Sequence, residues 1–73
     1  MLVRIVKLTF QEDKIADFLN NFNEIKHQIR RFEGNEFLEL YQDKQDTRIF
    51  FTYSYWKDEN ALEKYRKSAL SLL

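Results

Sequence analysis

Residues 50–65 read FFTYSYWKDENALEKY, and this segment changes from a strand pattern to a helix pattern immediately after Trp56. Five aromatic residues lie between Phe50 and Trp56, and aromatic side chains favour a pleated strand. Asp58 then offers a helix N-cap, and Glu59 adds acidic charge to the first helical turn. The segment therefore predicts a strand that is followed directly by a helix.

The chain before this segment predicts two more strands and a long helix. The opening residues alternate imperfectly and are partly apolar on both sides, as in a strand that is covered on two faces. Apolar residues then recur at spacings of three and four, which indicates a helix with one core-facing stripe. The expected elements are a strand over 2–10, a helix over 11–32, strands over 36–42 and 47–56, and a helix over 58–67.

The order strand, helix, strand, strand, helix predicts an α+β fold. It matches a ferredoxin-like split β-α-β layout without its final strand, with an antiparallel sheet and helices on one face. The third strand places Ile49, Phe51, Tyr53 and Tyr55 on one face and Phe50, Thr52, Ser54 and Trp56 on the other. A helix layer covers only one of these faces, so we expect the other to form a homodimer interface.

Composition excludes several classes of function. Twelve basic and twelve acidic residues cancel, which argues against a nucleic-acid partner. A small basic cluster near 26–31 is either a solvated helix end or an anion-binding patch. No segment approaches the ~20 apolar residues of a membrane helix, so no membrane partner is expected. The absence of cysteine excludes disulfides and thiolate sites, and we expect a cytoplasmic protein.

No metal, haem or flavin site is readable from the residues. His27 is the only histidine, and on the helical wheel it lies almost opposite the apolar stripe of the first helix. A general base needs a pocket and a metal site needs further ligands, and neither is visible around it. We therefore expect no cofactor and can assign no catalytic residue.

The chain resembles the antibiotic biosynthesis monooxygenase family in three segments. These are the opening strand 2–10, the Phe32-Glu33-Gly34 helix exit, and the aromatic strand that ends in Trp56 before a capped helix. The resemblance covers residues 1–73 as one domain. It implies the dimeric α+β barrel fold, in which similar proteins usually continue with a short third helix and a fourth strand. We expect this chain to lack both.

The resemblance implies an oxygenase chemistry that varies among members. Polyketide oxygenases of the family act without metal or cofactor and carry an Asn four residues before the Trp and a Tyr six residues after it. Thr52 and Leu62 stand at these positions here. Haem-degrading relatives have a Trp where this chain has Tyr65, together with an Asn on the first strand and a His shortly after the second helix. Here no Asn precedes Asn20 and no His follows the second helix, so haem degradation is disfavoured.

Two functions remain open at this point. One is a cofactor-independent monooxygenase for a small aromatic, quinol-like or polyketide-type substrate, with a pocket lined by Thr52, Ser54, Trp56 and Tyr65. Trp56 and Tyr65 would flank its apolar cavity, although both residues are equally typical of an ordinary core. The alternative is a non-catalytic dimeric module that binds a small hydrophobic molecule or only assembles.

Overall fold

The computed structural model describes residues 1–71 and shows a three-stranded antiparallel sheet with two helices on one face. The elements are β1 (Leu2–Thr9), α1 (Ile15–Arg30), β2 (Asn35–Gln42), β3 (Ile49–Trp56) and α2 (Glu59–Arg66), with a 3₁₀ turn at Glu12–Lys14 before α1. The strand order β1-β3-β2 makes β3 the central strand. The predicted α+β class and element order are confirmed.

Alternation along β3 gives the sheet two different faces. Phe50, Thr52, Ser54 and Trp56 are buried, whereas the residues between them are partly exposed. We call the side that carries these four residues the inner face, because it packs against the helices. The opposite side is the open face, formed by Val3, Ile5, Lys7, Phe37, Glu39, Tyr41, Phe51, Tyr53 and Tyr55.

The core lies between the inner face and the apolar stripe of α1. Phe22 and Ile29 of α1 are buried against Leu38 of β2, as their helical spacing predicts. At the end of the sheet nearer the hairpin, the ring of Phe18 packs against those of Phe10 and Phe50, with centroids 4.3 and 5.5 Å away. Core packing therefore explains the apolar stripe, as predicted.

The open face is apolar and lacks a covering layer within residues 1–71. Val3 and Ile5 of β1 are 49% and 55% exposed, and Tyr41 of β2 is 49% exposed. Two aromatic pairs run across it: Phe37 stacks on Tyr55 with centroids 4.5 Å apart, and Tyr41 meets Tyr53 edge-on at 5.3 Å. The face thus offers a broad aromatic surface for a partner.

The helices are shorter than predicted at three ends, which are the start of α1, the end of α1 and the end of α2. The first helix begins at Ile15 rather than Gln11, because Gln11 is extended and its side chain caps nothing. The second begins where expected, since the Ala61 amide donates to Asp58 Oδ1 at 2.9 Å. Ala69 follows Tyr65 by four residues, a spacing that predicts an inward position in a continued helix. It is exposed instead, because α2 ends at Arg66 and the helical spacing no longer applies.

Candidate functional site

The four predicted pocket residues lie together on the inner face. Thr52, Ser54 and Trp56 share that face because alternate residues of a strand point the same way, and Tyr65 reaches it from α2. All four are buried, with Trp56 fully inaccessible and Ser54, the most accessible, only 4% exposed. The sequence therefore placed all four residues on one face correctly, and contacts join Ser54 and Tyr65 to Trp56. The role of the four residues in binding a substrate stays a prediction.

Trp56 is held by one polar contact and two aromatic ones. Its Nε1–H donates a hydrogen bond to Ser54 Oγ at 2.9 Å. The ring of Tyr65 lies 4.8 Å from it, centroid to centroid, at an interplanar angle of 31°. Phe32 presents its edge to both rings at 6.3 and 5.7 Å. We call Phe32, Ser54, Trp56 and Tyr65 the tryptophan cluster.

The tryptophan cluster is filled by its own side chains. Trp56 and Tyr65 lie on the same side of the sheet, as expected of two residues that flank one space, but their rings contact each other directly. Every buried side-chain nitrogen and oxygen atom within residues 1–71 has a hydrogen-bond partner. A ligand could reach the faces of these rings only after a side chain such as Phe32 or Tyr65 rotates away.

The hydrogen bond between Ser54 and Trp56 gives a direct test of the cluster. Replacing Ser54 by alanine leaves the buried indole N–H without a partner, which we expect to cost about 1–3 kcal/mol of unfolding free energy. Trp56 is the only tryptophan, so one indole resonance in an NMR spectrum reports on the bond. Thr52→Val is the matched control, because it removes a buried hydroxyl of the same face that does not bond the indole. Equal losses of stability with an unmoved indole signal would contradict this assignment.

Burial also shapes the acid–base behaviour of Tyr65. Desolvation raises the pKa of its phenol, and the positive charge of Arg4 opposes this effect. The phenol therefore stays protonated at neutral pH, and it can donate a hydrogen bond but cannot act as a base.

The raised pKa of Tyr65 predicts a loss of stability in alkali. Its folded-state pKa lies above that of the unfolded chain, so the unfolding free energy keeps this contribution below about pH 10 and loses it as the pH rises through the folded value. Between about pH 8 and pH 11, we expect the unfolding free energy of Tyr65→Phe, measured by urea unfolding, to fall less steeply with pH than that of the wild type. Tyr41→Phe, on the half-exposed open face, should follow the wild type; the same flattening in both variants would contradict the prediction.

Arg4 is a member of this site that sequence reasoning missed. It points to the inner face from β1, directly opposite Ser54 in the β1–β3 register. Burial lowers the pKa of its guanidinium, and the nearby Tyr65 partly offsets this. The signal was present in the sequence, because Arg4 is the one charged residue among the inward positions Leu2, Arg4, Val6 and Leu8.

Two surface depressions lie away from the tryptophan cluster. One, of about 410 Å³, is a shallow groove on the open face lined by Phe37, Tyr41, Phe51, Tyr53 and Tyr55. The other, of about 380 Å³, lies beside the start of α2 and has a polar lining that includes Glu33, Lys57, Asp58 and Lys64. None of the four predicted pocket residues lines either one.

The described part of the chain was compared with the requirements of a metal site and of a membrane-spanning helix. Residues 1–71 contain no group of three metal-ligating side chains close enough to hold an ion. His27 is exposed on α1, as predicted. In the same residues no helix is both long and apolar enough to cross a membrane.

The sequence profile described as antibiotic biosynthesis monooxygenase matches residues 1–71. The chain belongs to the antibiotic biosynthesis monooxygenase family. The resemblance inferred from the aromatic strand and its capped helix is therefore confirmed. Comparison with curated protein sequences gave no significant match.

Solved structures agree with this family assignment. A protein of Nitrosomonas europaea whose description names an antibiotic biosynthesis monooxygenase superposes with a TM-score of 0.88 at 25% identity, over 99% of this chain and 76% of its own. A Pseudomonas aeruginosa protein gives 0.84 at 21% identity, over 96% and 71% of the two chains. A conserved protein of Methanosarcina mazei gives 0.85 at 24% identity, over 93% and 66%. The last two comparisons support the ferredoxin-like fold alone. All three chains are longer than the chain described here.

Proposed function

We propose that the protein is a cofactor-independent monooxygenase that acts on a small aromatic, quinol-like or polyketide-type substrate. The observation that carries this proposal is the tryptophan cluster, which lies between sheet and helices in a chain that matches the family over residues 1–71. Stacked aromatic rings bind flat aromatic ligands well, because offset stacking adds to the burial of apolar surface.

The reaction needs only the substrate and dioxygen. In an anthrone, for example, the activated CH₂ group loses two hydrogen atoms and becomes a carbonyl. One oxygen atom of O₂ enters that carbonyl and the other leaves as water, so four electrons pass from carbon to oxygen without an external reductant. Such carbons are acidic enough to form a carbanion, and the protein has to bind and stabilise that anion.

Side chains of the site are suited to this role as hydrogen-bond donors. Trp56 would stack on the substrate once Phe32 or Tyr65 moves aside. The hydroxyls of Thr52 and Ser54 and the neutral phenol of Tyr65 would then donate to the oxygen on which the negative charge develops. A raised pKa of Tyr65 favours this use, because the phenol keeps its proton.

We also propose that the working form is a homodimer joined through the open face. Soluble monomers rarely expose large contiguous apolar patches, and this face combines Val3 and Ile5 with two cross-strand aromatic pairs. Tyrosine suits such an interface, since it supplies a large ring and a hydroxyl for the rim. Packing of the two sheets against each other would make the sheet that supports each tryptophan cluster more rigid.

Oxygen consumption tests the proposed activity. The protein is mixed with a panel of anthrones and quinols. Uptake of O₂ is followed together with formation of the oxygenated product, an anthraquinone from an anthrone or a hydroxyquinone from a quinol. We expect equimolar uptake and product for at least one substrate, with a rate that falls in Trp56→Phe and is unchanged in Gln28→Lys, a variant of the exposed side of α1. Uptake no faster than autoxidation in buffer across the panel would count against the activity.

The second candidate function is a non-catalytic dimeric module that binds a small hydrophobic molecule. The filled tryptophan cluster favours it, because a satisfied and closely packed Trp56 is what a purely structural core requires. Leu62 also cannot donate the hydrogen bond expected of the family's Tyr at its position. Binding of a quinol that shifts the indole resonance without oxygen uptake would support this function over the first.

A further inference from the structure

Arg4 is a positive charge on the helix-facing side of the sheet. Exposure alternates along β1, so that Leu2, Arg4, Val6 and Leu8 are the less exposed residues and those between them are exposed. Apolar side chains hold the other three inward positions. A guanidinium in this row loses part of its hydration, which is unfavourable unless an opposite charge or hydrogen bonds replace it.

The strand register places Arg4 beside the tryptophan cluster. Arg4 is the direct partner of Ser54, and Leu2, on the same side of β1, is the partner of Trp56. From α2, the phenol of Tyr65 and the guanidinium of Arg66 lie close enough to act on Arg4 electrostatically. Four functional groups from three elements therefore surround one small region at the β1 edge of the cluster.

No carboxylate within residues 1–71 neutralises Arg4. The ion pairs of the described chain join Arg30 to Glu39, Arg48 to Asp46 and Arg66 to Glu63. The remaining arginine, Arg31, is exposed to solvent. Among the five arginines, only Arg4 combines partial burial with the lack of an acidic partner within residues 1–71, and the charge of Arg66 acts on it unfavourably.

A packing role for the side chain does not account for this arrangement. The methylene stem of an arginine can cover apolar surface while its head reaches water. That position of the stem still leaves the partly buried guanidinium without an acidic partner within residues 1–71. An anion held between the guanidinium, the Ser54 hydroxyl and the Tyr65 phenol would offset the desolvation of the guanidinium.

We propose that Arg4 anchors an anionic group, a carboxylate or a phenolate, on an aromatic ligand whose ring lies against Trp56 after Phe32 or Tyr65 has moved aside. This rests on the site of the proposed function and narrows its substrate class to aromatic acids and ionised phenols. The guanidinium suits the task because its planar donors match a carboxylate in pairs. Arg4 acts here as a specificity-determining residue for the charge of the substrate.

A matched pair of ligands tests the charge preference directly. Binding of 2-naphthoate and of its neutral counterpart 2-naphthamide is measured by calorimetry and by the shift of the single Trp56 indole resonance. We expect 2-naphthoate to bind about tenfold to a hundredfold more tightly, the range that a hydrogen-bonded charge supports. Equal affinities, or no binding of either compound, would overturn the inference.

Variants at position 4 show whether this preference comes from Arg4. Arg4→Gln should bring the two affinities to within about twofold, and Arg4→Lys should keep part of the difference, because it keeps the charge but loses the paired donors. Arg31→Gln is the control: it removes an exposed arginine elsewhere and should bind both ligands as the wild type does. A preference that survives Arg4→Gln would overturn the inference. Should Arg4→Gln fail to fold, two other measurements replace it. The preference of the wild-type protein for 2-naphthoate should fall at high salt, and Arg4→Lys should keep only part of that preference.

Oxygen uptake separates this inference from the proposed activity. Hydroquinone and 2,5-dihydroxybenzoate are a neutral and an anionic quinol of similar size. Faster uptake with the anion, abolished by Arg4→Gln, supports both proposals. Uptake with equal rates for both quinols supports the monooxygenase and overturns the role of Arg4. Charge-selective binding without any uptake supports Arg4 and counts against the monooxygenase.

Discussion

Replacing Tyr53 by lysine is expected to convert the proposed dimer to a folded monomer. Tyr53 occupies the centre of the open face, between Ile5 of β1 and Glu39 of β2 in the strand register. In the proposed dimer, an ammonium group there would lose its hydration against the partner's sheet, which is costly. Within one subunit, the same lysine faces Glu39, and an opposite-charge pair across strands stabilises a sheet. The change therefore acts on assembly more than on the fold.

The effect of Tyr53→Lys should be large, because central interface aromatics often contribute 2 kcal/mol or more to binding. We expect the dimer dissociation constant to rise by about thirtyfold or more, as measured by sedimentation over a wide concentration range. The melting temperature of the wild type should rise with concentration, whereas that of the variant should not. Gln28→Lys adds the same charge on the exposed side of α1 and should leave the dimer intact. A wild-type protein that sediments as a monomer throughout would contradict the prediction.

The aromatic strand explains why the fold was predictable from the sequence. Alternation along β3 assigns each residue to a face without knowledge of its partners, so Trp56 and Tyr53 were placed on opposite sides correctly. The length of the strand–helix junction then brings Tyr65 back over Trp56. These features depend on local backbone geometry, which can be predicted from a single sequence.

Other features of the site depend on contacts that a pattern does not contain. The rings of Trp56 and Tyr65 pack directly against each other. The spacing of apolar residues in the sequence does not show whether such a space is filled by side chains or left as a cavity. The hydrogen bond of Ser54 was signalled only by its spacing of two residues from Trp56. The importance of Arg4 appears when the register sets it opposite Ser54 and the ion pairs of the other arginines are known.

Gly34 is the residue whose replacement we expect to harm the fold most. It lies between α1 and β2 with a φ of +88°, the left-handed region that favours glycine. Its carbonyl accepts a hydrogen bond from the Lys57 amide at 2.8 Å, which ties the exit of α1 to the end of β3. An added Cβ at this position would overlap the Cβ of Ala61 in α2. Close approach and backbone conformation both require glycine here.

Gly34→Ala should therefore lose about 2–5 kcal/mol of unfolding free energy, from the left-handed conformation and from overpacking together. That loss is comparable to the whole net stability of about 3–5 kcal/mol that a core of this size supplies, so the isolated subunit should be largely unfolded. The variant Gly34→Ala/Ala61→Gly separates the two causes, because it removes the overlap but keeps the backbone strain. We expect it to regain part of the lost stability in urea unfolding, although Ala61→Gly alone costs about 0.5–1 kcal/mol in a helix. A double variant that is less stable than Gly34→Ala by the full cost of Ala61→Gly alone would show that the close approach to α2 contributes nothing.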